Sequence, residues 1–463
     1  MTLIKSISGI RGTIGGATGD NLTPLDTVKF AAAYGTWLKA ENTNQKLKIV
    51  IGRDARLSGS MVSGLISNTL LGLGIDVIDL ELSTTPTVEL AVVREAVHGG
   101  IIVTASHNPK QWNALKLLNH KGEFLNAEEG SKIIALAEKE AYDFAEVDNL
   151  GSYFVNTNAI EAHIDEVLAL EHVAVEAIKA KGFKVVVDAV NSTGGITIPA
   201  LLERLGVICI PLYCEPTGHF PHNPEPLAEH LTAISKRVVE EQADLGFVVD
   251  PDVDRLAIVN EDGTMFGEEY TLVACADYIL GKTPGTTVSN LSSTRVLNDV
   301  TIGYDQAYFA SAVGEVNVVT KMKEVEAVIG GEGNGGIIYP ESHYGRDALV
   351  GIALFLSHLA ETRKSCKELR NSYPAFFIAK EKLELPTATD IDALLMQIQK
   401  VYANEEVNTI DGTKIIFKNK EWVHIRKSNT EPIVRIYAES TSLKKARLLT
   451  MKVKETLNSF ILT

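Results

Sequence analysis

Apolar and polar positions along this chain fall into a pattern that runs through three similar rounds and then changes. Thr23-Pro24 places an N-cap hydroxyl before a helix-initiating proline and opens an amphipathic run over residues 24–37. Strand patterns over 48–51 and 75–80 enclose a helix over 58–73, a helix over 86–96 follows, and Gly100-Ile101-Ile102-Val103 reads as a short buried strand. Past a polar stretch at 146–158, the second round predicts helices over 160–180 and 193–205 and one ending near 242. Its strands fall at 184–187, 207–212 and 245–249. The third predicts a helix over 269–280, strands over 287–291, 317–319 and 327–329, and a long helix over 348–371. Beyond Tyr373-Pro374 come a helix over 390–403, alternating segments over 414–417, 422–425 and 433–437, and a terminal helix over 443–460.

Alternating helices and strands predict three α/β units with mostly parallel sheets, and the last region predicts an α+β unit on an antiparallel sheet. The expected seams divide the chain into 1–152, 153–258, 259–372 and 373–463. A length of 463 residues agrees, being too great for one ordinary core. In each of the first three units a short apolar run feeds a polar loop, the place where open α/β sheets bind ligands.

Charge narrows the partners. A formal net charge of −15 argues against sequence-independent nucleic-acid binding but leaves small anions possible if cations are concentrated locally. The first residues lack an apolar core of signal-peptide length, and no run approaches the ~18 apolar residues of a spanning helix, so a cytoplasmic chain without a membrane partner is expected. Cys209, Cys214, Cys275 and Cys366 show no zinc spacing and are expected to be reduced.

The loops carry the candidate chemistry. Thr104-Ala105-Ser106-His107-Asn108-Pro109 delivers a serine hydroxyl at a strand end, flanked by His107 and followed by Lys116 as a cation or base. Asp250, Asp252 and Asp254 alternate immediately after a buried strand; their mutual repulsion is costly unless a cation neutralises it, and all-oxygen ligands favour Mg²⁺, Mn²⁺ or Ca²⁺. An EF-hand is excluded, because Arg255 stands where that loop needs glycine. Gly330 to Gly336 lacks the Lys-Ser or Lys-Thr ending of a Walker loop, yet its glycines admit a ligand that Glu332 and Asn334 can hydrogen-bond. Arg426-Lys427-Ser428-Asn429-Thr430-Glu431-Pro432 gathers charge and several donors, as a phosphate clamp requires. Arg53, Asp54 and Arg56 in a further polar loop are accounted for by surface ion pairing.

In this order and in a chain of this length, the four loops resemble those of the α-D-phosphohexomutases, the phosphoglucomutases, phosphomannomutases and phosphoglucosamine mutases. The resemblance implies four domains around a central cleft, the first three sharing a related α/β mixed-sheet fold. It implies a phosphoserine at Ser106, one Mg²⁺ held by Ser106, Asp250, Asp252 and Asp254, and a hexose 1,6-bisphosphate intermediate that reorients between two phosphoryl transfers. Lys116 matches a general acid/base lysine, whose pKa would have to be lowered by cations such as Arg11 of the Gly-Ile-Arg-Gly loop. Glu332 and Asn334 would bind sugar hydroxyls, and Arg426, Ser428, Asn429, Thr430 and Arg435 the distal phosphate. The chain departs from the pattern at Asn334, usually serine, at Gly336, often histidine in bacterial members, at Ser6-Ile7-Ser8 and at Ala114. The phosphate loop favours glucosamine phosphate as substrate over dual glucose and mannose specificity. The alternatives from other classes are a silent sugar-phosphate sensor and a metal-dependent phosphatase. A monomer or homodimer is expected.

Overall fold

The computed structural model describes residues 2–6, 9–43, 45–386, 389–427 and 433–461. The first sheet takes in Ile4–Ser6 and Gly9–Thr13, a strand in place of the expected polar loop, at one edge and Tyr153–Val155 at the other. Apart from these, the first three sheets share one four-strand arrangement. In each, the first strand is flanked by the second and third, both parallel to it, and a fourth strand folds back antiparallel onto the third. In the first unit these are Lys48–Arg53, Asp76–Leu82, Gly100–Val103 and Trp112–Leu118. In the second they are Lys184–Asp188, Ile208–Leu212, Leu245–Val249 and Leu256–Asn260, and in the third Thr287–Asn290, Tyr308–Ser311, Ile329–Glu332 and Gly336–Ile338. Helices cover both faces of such sheets, so the third strands are buried along their whole length and read as apolar or small runs without alternation, broken only by Glu332 at the end of the third unit's strand. The turn from third to fourth strand carries Ser106 in the first unit, the aspartates in the second, and Gly333-Asn334-Gly335 in the third.

The fourth unit is a fully antiparallel sheet in the order Phe377–Glu384, Ile433–Ser440, Trp422–Lys427, Thr413–Ile416, Glu406–Asn408. The helices Ile391–Val401 and Leu443–Ile461 complete it. Among the described residues all four cysteines are free, and no helix is long and apolar enough to cross a membrane.

Several elements differ from the sequence expectation, each for a physical reason. Tyr153–Val155 pairs in parallel with Asp76–Leu82, so the first sheet reaches past the seam expected at 152, and Leu256–Asn260 carries the second sheet past 258. The helix expected over 160–180 is two helices, Ala159–Ala169 and Val175–Lys181. Between them the backbone bonds outside the helix: Tyr278 Oη donates to the His172 carbonyl, and Ala174 N donates to Ser357 Oγ. Residues 317–319 belong to a helix, Glu315–Glu324, not to a strand: Val318 and Met322, one turn apart, are buried together while Lys321 and Lys323 face outward. The long helix over 348–371 ends at Thr362, where Arg363 turns left-handed at φ 59°; Ser365 and Glu368 then form a capping box that starts Cys366–Ser372.

Candidate active site

The serine turn is built around a buried arginine. Arg56 has a side-chain exposure of 0% and donates Nε to Asp54 Oδ2 at 3.0 Å. Its two Nη groups donate to the carbonyls of Ser106, Asn108, Pro109 and Trp112. Thr104 Oγ1 accepts from Ser106 N at 2.9 Å and donates to Asp54 Oδ2 at 2.7 Å. Asp54 and Arg56 are therefore no surface pair but the frame that holds Ser106 at φ 47°, a left-handed conformation unusual for a residue with a Cβ.

Ser106 Oγ donates to Asp250 Oδ2 at 2.6 Å. Asp250 Oδ1 accepts the backbone N–H groups of Asp254 and Arg255 at 3.2 and 3.1 Å, an arrangement that requires the turn at Val253, φ 63°. Asp252 Oδ2 accepts from Thr85 Oγ1 at 2.6 Å and Lys116 Nζ at 2.7 Å, and Asp254 Oδ2 accepts from Arg346 Nη2 at 2.7 Å. The three aspartates are fully buried and offer ligand atoms within 4.8 Å of one another. Asp252 Oδ1 and Asp254 Oδ1 are buried without a hydrogen-bond partner. Burial and the charges of Asp254 and Asp252 push the Asp250 carboxyl well above the ordinary carboxylate range. Orphaned oxygens and mutual repulsion are what a hard divalent cation relieves, so this donor set fits Mg²⁺.

Lys116 is on the Trp112–Leu118 strand, and its pKa runs opposite to the expectation. Burial alone would lower it, but Asp252 and Asp254, 2.7 and 3.3 Å from Nζ, more than reverse that and hold it above the usual lysine range. The leading cation that opposes the carboxylates is Arg346, in place of the expected Arg11. His107 Nδ1 is 3.3 Å from Ser106 Oγ, and burial followed by the charge of Arg255 keeps that imidazole well below its ordinary pKa, hence neutral at pH 7.

These groups open on a cavity of about 710 Å³ shared by all four units. Arg11, Arg255, Lys380, Arg426 and Arg435 line it, which concentrates positive charge inside an acidic chain. Arg426 and Arg435 face each other across neighbouring strands, and Arg426 Nε is buried without a partner among the described residues. Burial and the nearby Arg435 lower the pKa of Arg11. Ser428, Asn429 and Thr430 lie outside the described residues. Glu332 lines the cavity but is held by the protein: Oε1 accepts from Asn290 Nδ2 at 2.8 Å and Gly314 N at 3.2 Å, and Oε2 from Arg346 Nη1 at 3.1 Å and Asn334 Nδ2 at 3.4 Å.

Side chains that the loop patterns did not single out tie the units together. His163 of the second unit takes Thr87 of the first at 2.8 Å and Asp347 of the third at 2.8 Å, and His343 adds a contact to Asp347 at 3.3 Å. Lys414 Nζ of the fourth donates to the Leu291 carbonyl of the third at 2.7 Å. Thr85, Arg346, Asn290 and Glu315 likewise carry no motif; the signal available for Thr85 and Arg346 is only their position beside a turn.

A serine turn, a carboxylate turn and a glycine turn, each at the same place in a repeated α/β unit and facing a cationic fourth unit, define a phosphohexomutase. Models of the phosphoglucomutase/phosphomannomutase family match in succession: alpha/beta/alpha domain I over residues 3–143, domain II over 161–263, domain III over 267–376 and the C-terminal domain over 382–456. The chain belongs to that family, and as a phosphohexomutase it is an isomerase. It is 34% identical over 442 residues to a phosphoglucomutase/phosphomannomutase of Thermococcus kodakarensis, covering 94% of this chain and 95% of the relative. A phosphoglucosamine/phosphogalactosamine mutase of Sulfurisphaera tokodaii is 30% identical, with 96% and 97% covered. The crystal structure of a putative phosphomannomutase from Thermus thermophilus superposes with a TM-score of 0.83 at 25% identity, covering 99% of each chain.

Proposed function

We propose that this isomerase interconverts hexose 6-phosphate and hexose 1-phosphate through phospho-Ser106 and a 1,6-bisphosphate, acting best on glucosamine phosphate. The observation that carries the reading is the 2.6 Å bond from Ser106 Oγ to Asp250 within a buried carboxylate trio that has unpartnered oxygens. In the first transfer the P–O bond to Ser106 Oγ breaks as a P–O bond to a sugar hydroxyl forms; the hydroxyl releases its proton and Oγ gains one. After the bisphosphate turns over in the cavity, the second transfer reverses these changes at the other end of the sugar.

Asp250, Asp252 and Asp254 would hold Mg²⁺, which when bound offsets charge on the transferring phosphoryl group. Lys116, held as a cation, steadies that charge and is poised as a donor. Arg426 and Arg435 grip the phosphate that is not reacting, with Ser428, Asn429 and Thr430 as further donors by family resemblance. Glu225 also lines the cavity, loosely held 3.7 Å from Arg255, and gives a protonated 2-amino group a partner that a plain hexose does not use. A dual glucose and mannose specificity is the second reading, favoured by the name of the Thermococcus relative.

The deciding experiment is a coupled mutase assay with Mg²⁺ and a trace of hexose 1,6-bisphosphate on glucosamine 6-phosphate, glucose 1-phosphate and mannose 1-phosphate. A dominant rate with glucosamine phosphate is expected, abolished in Ser106→Ala. Comparable glucose and mannose rates select the second reading, and net phosphate release or no turnover defeats both.

A further inference from the structure

Gly336 is the first residue of the fourth strand in the third unit, and the space where its side chain would stand is filled. A Cβ built there would lie 2.3 Å from Arg346 Cδ and 3.1 Å from Cγ, far inside contact distance. Arg346 thus runs across the bare backbone of the glycine turn. From there its guanidinium meets three carboxylates on three elements: Nη2 donates to Asp254 at 2.7 Å, Nη1 to Glu332 at 3.1 Å and Nε to Glu315 at 3.1 Å. Its own N–H donates to Glu315 Oε1 at 2.9 Å, which fixes the base of the side chain as well as its tip.

Asp254 belongs to the metal turn and Glu332 to the sugar turn. The planar fork of arginine sends its donors in fixed directions, so the two carboxylates that Arg346 holds are set relative to each other. A flexible ammonium would meet one partner at a time. We propose that Arg346 is a positioning residue that couples the metal turn to the sugar turn, and that the bare backbone at Gly336 is what admits it. This rests on the mutase reading above. It also accounts for the departure from the family pattern at 336: a histidine there would displace the arginine.

The test is a double-mutant cycle on the full chain with Mg²⁺ and the best sugar phosphate, reading kcat and KM per phosphorylatable Ser106, with thermal melting as the check of folding. Arg346→Ala is expected to lower kcat about 100-fold and Gly336→Ala about 30-fold, the scale of a misplacement of roughly 1 Å. Because the alanine acts by displacing the arginine, the double variant is expected within about twofold of Arg346→Ala, a strong departure from additivity. Arg346→Lys keeps charge and bulk, guards against misfolding of the alanine variant, and is expected to lose kcat about tenfold. Penalties that multiply, or an Arg346→Ala or Arg346→Lys enzyme within about threefold of wild type in kcat and KM, overturn the coupling. A wild-type chain inactive on every sugar phosphate overturns the mutase reading and the coupling with it, so the two failures are told apart.

Discussion

Replacing Arg56 with methionine removes five hydrogen bonds at once, one to Asp54 and four to the carbonyls that shape the serine turn. Methionine fills much of the stem's volume, so the loss is polar. Asp54, 0% exposed, is left as a buried charge whose other donors are Thr104 Oγ1 and the N–H of residue 56. Breaking a buried pair from one side costs about 3–5 kcal/mol, and the contact of the guanidinium with the Phe220 ring, 5.2 Å away, goes with it. For a unit of about 150 residues that corresponds to a melting shift of roughly 6–20 °C. The effect on chemistry is separate: a serine turn free to relax from its left-handed conformation misplaces Oγ by an ångström or so, and turnover is expected to fall at least ~100-fold. Calorimetry and the coupled mutase assay measure the two. Pairing the change with Asp54→Asn is expected to cost less than the sum of the singles, since the orphaned charge is gone. An Arg56→Met enzyme that melts within about 1 °C of wild type and turns over within about threefold refutes the framing role.

Arg426→Ala is expected to cost about 1.5–3 kcal/mol of charged hydrogen bonding, a fall in kcat/KM of roughly 10–150-fold carried mainly by KM; steady-state kinetics unchanged by it would remove Arg426 from the phosphate site. His343 gives a pH prediction. Burial lowers its pKa, but the hydrogen bond to Asp347, the Glu89 carboxylate 3.3 Å from Nδ1 and the charges of both reverse that and raise it to about 10. A raised folded pKa means stability present in full below the unfolded value near ~6.5 and lost as pH climbs to the folded one. The melting advantage of wild type over His343→Gln is therefore expected to shrink between pH 7 and 10; an advantage independent of pH over that range would show His343 to be uncharged.

The serine, aspartate and glycine turns were legible because each follows a strand buried on both faces, and such a strand is written as an apolar or small run without alternation. What misled was local resemblance without its tertiary partner. Val318 and Val319 favour a strand in isolation, yet Met322 one turn on places them on the buried face of a helix. Arg363 has no glycine to announce its left-handed break. Lys116 looked like a base in need of neighbouring cations, whereas the aspartates that face it are some 136 positions away. Arg56 read as part of a surface ion pair, and Arg346 escaped notice, for the same reason: a charged residue in a loop reads as solvated until the chain that buries it is in place.

The repetition of one turn in three units has a consequence for where the activity resides. On the proposed mechanism no unit holds a working centre by itself, since Ser106 meets Asp250, 144 positions along the chain, across a seam. Catalysis on that mechanism is thus a property of the seams, and a change that loosens one by an ångström is expected to silence the enzyme while every unit stays folded.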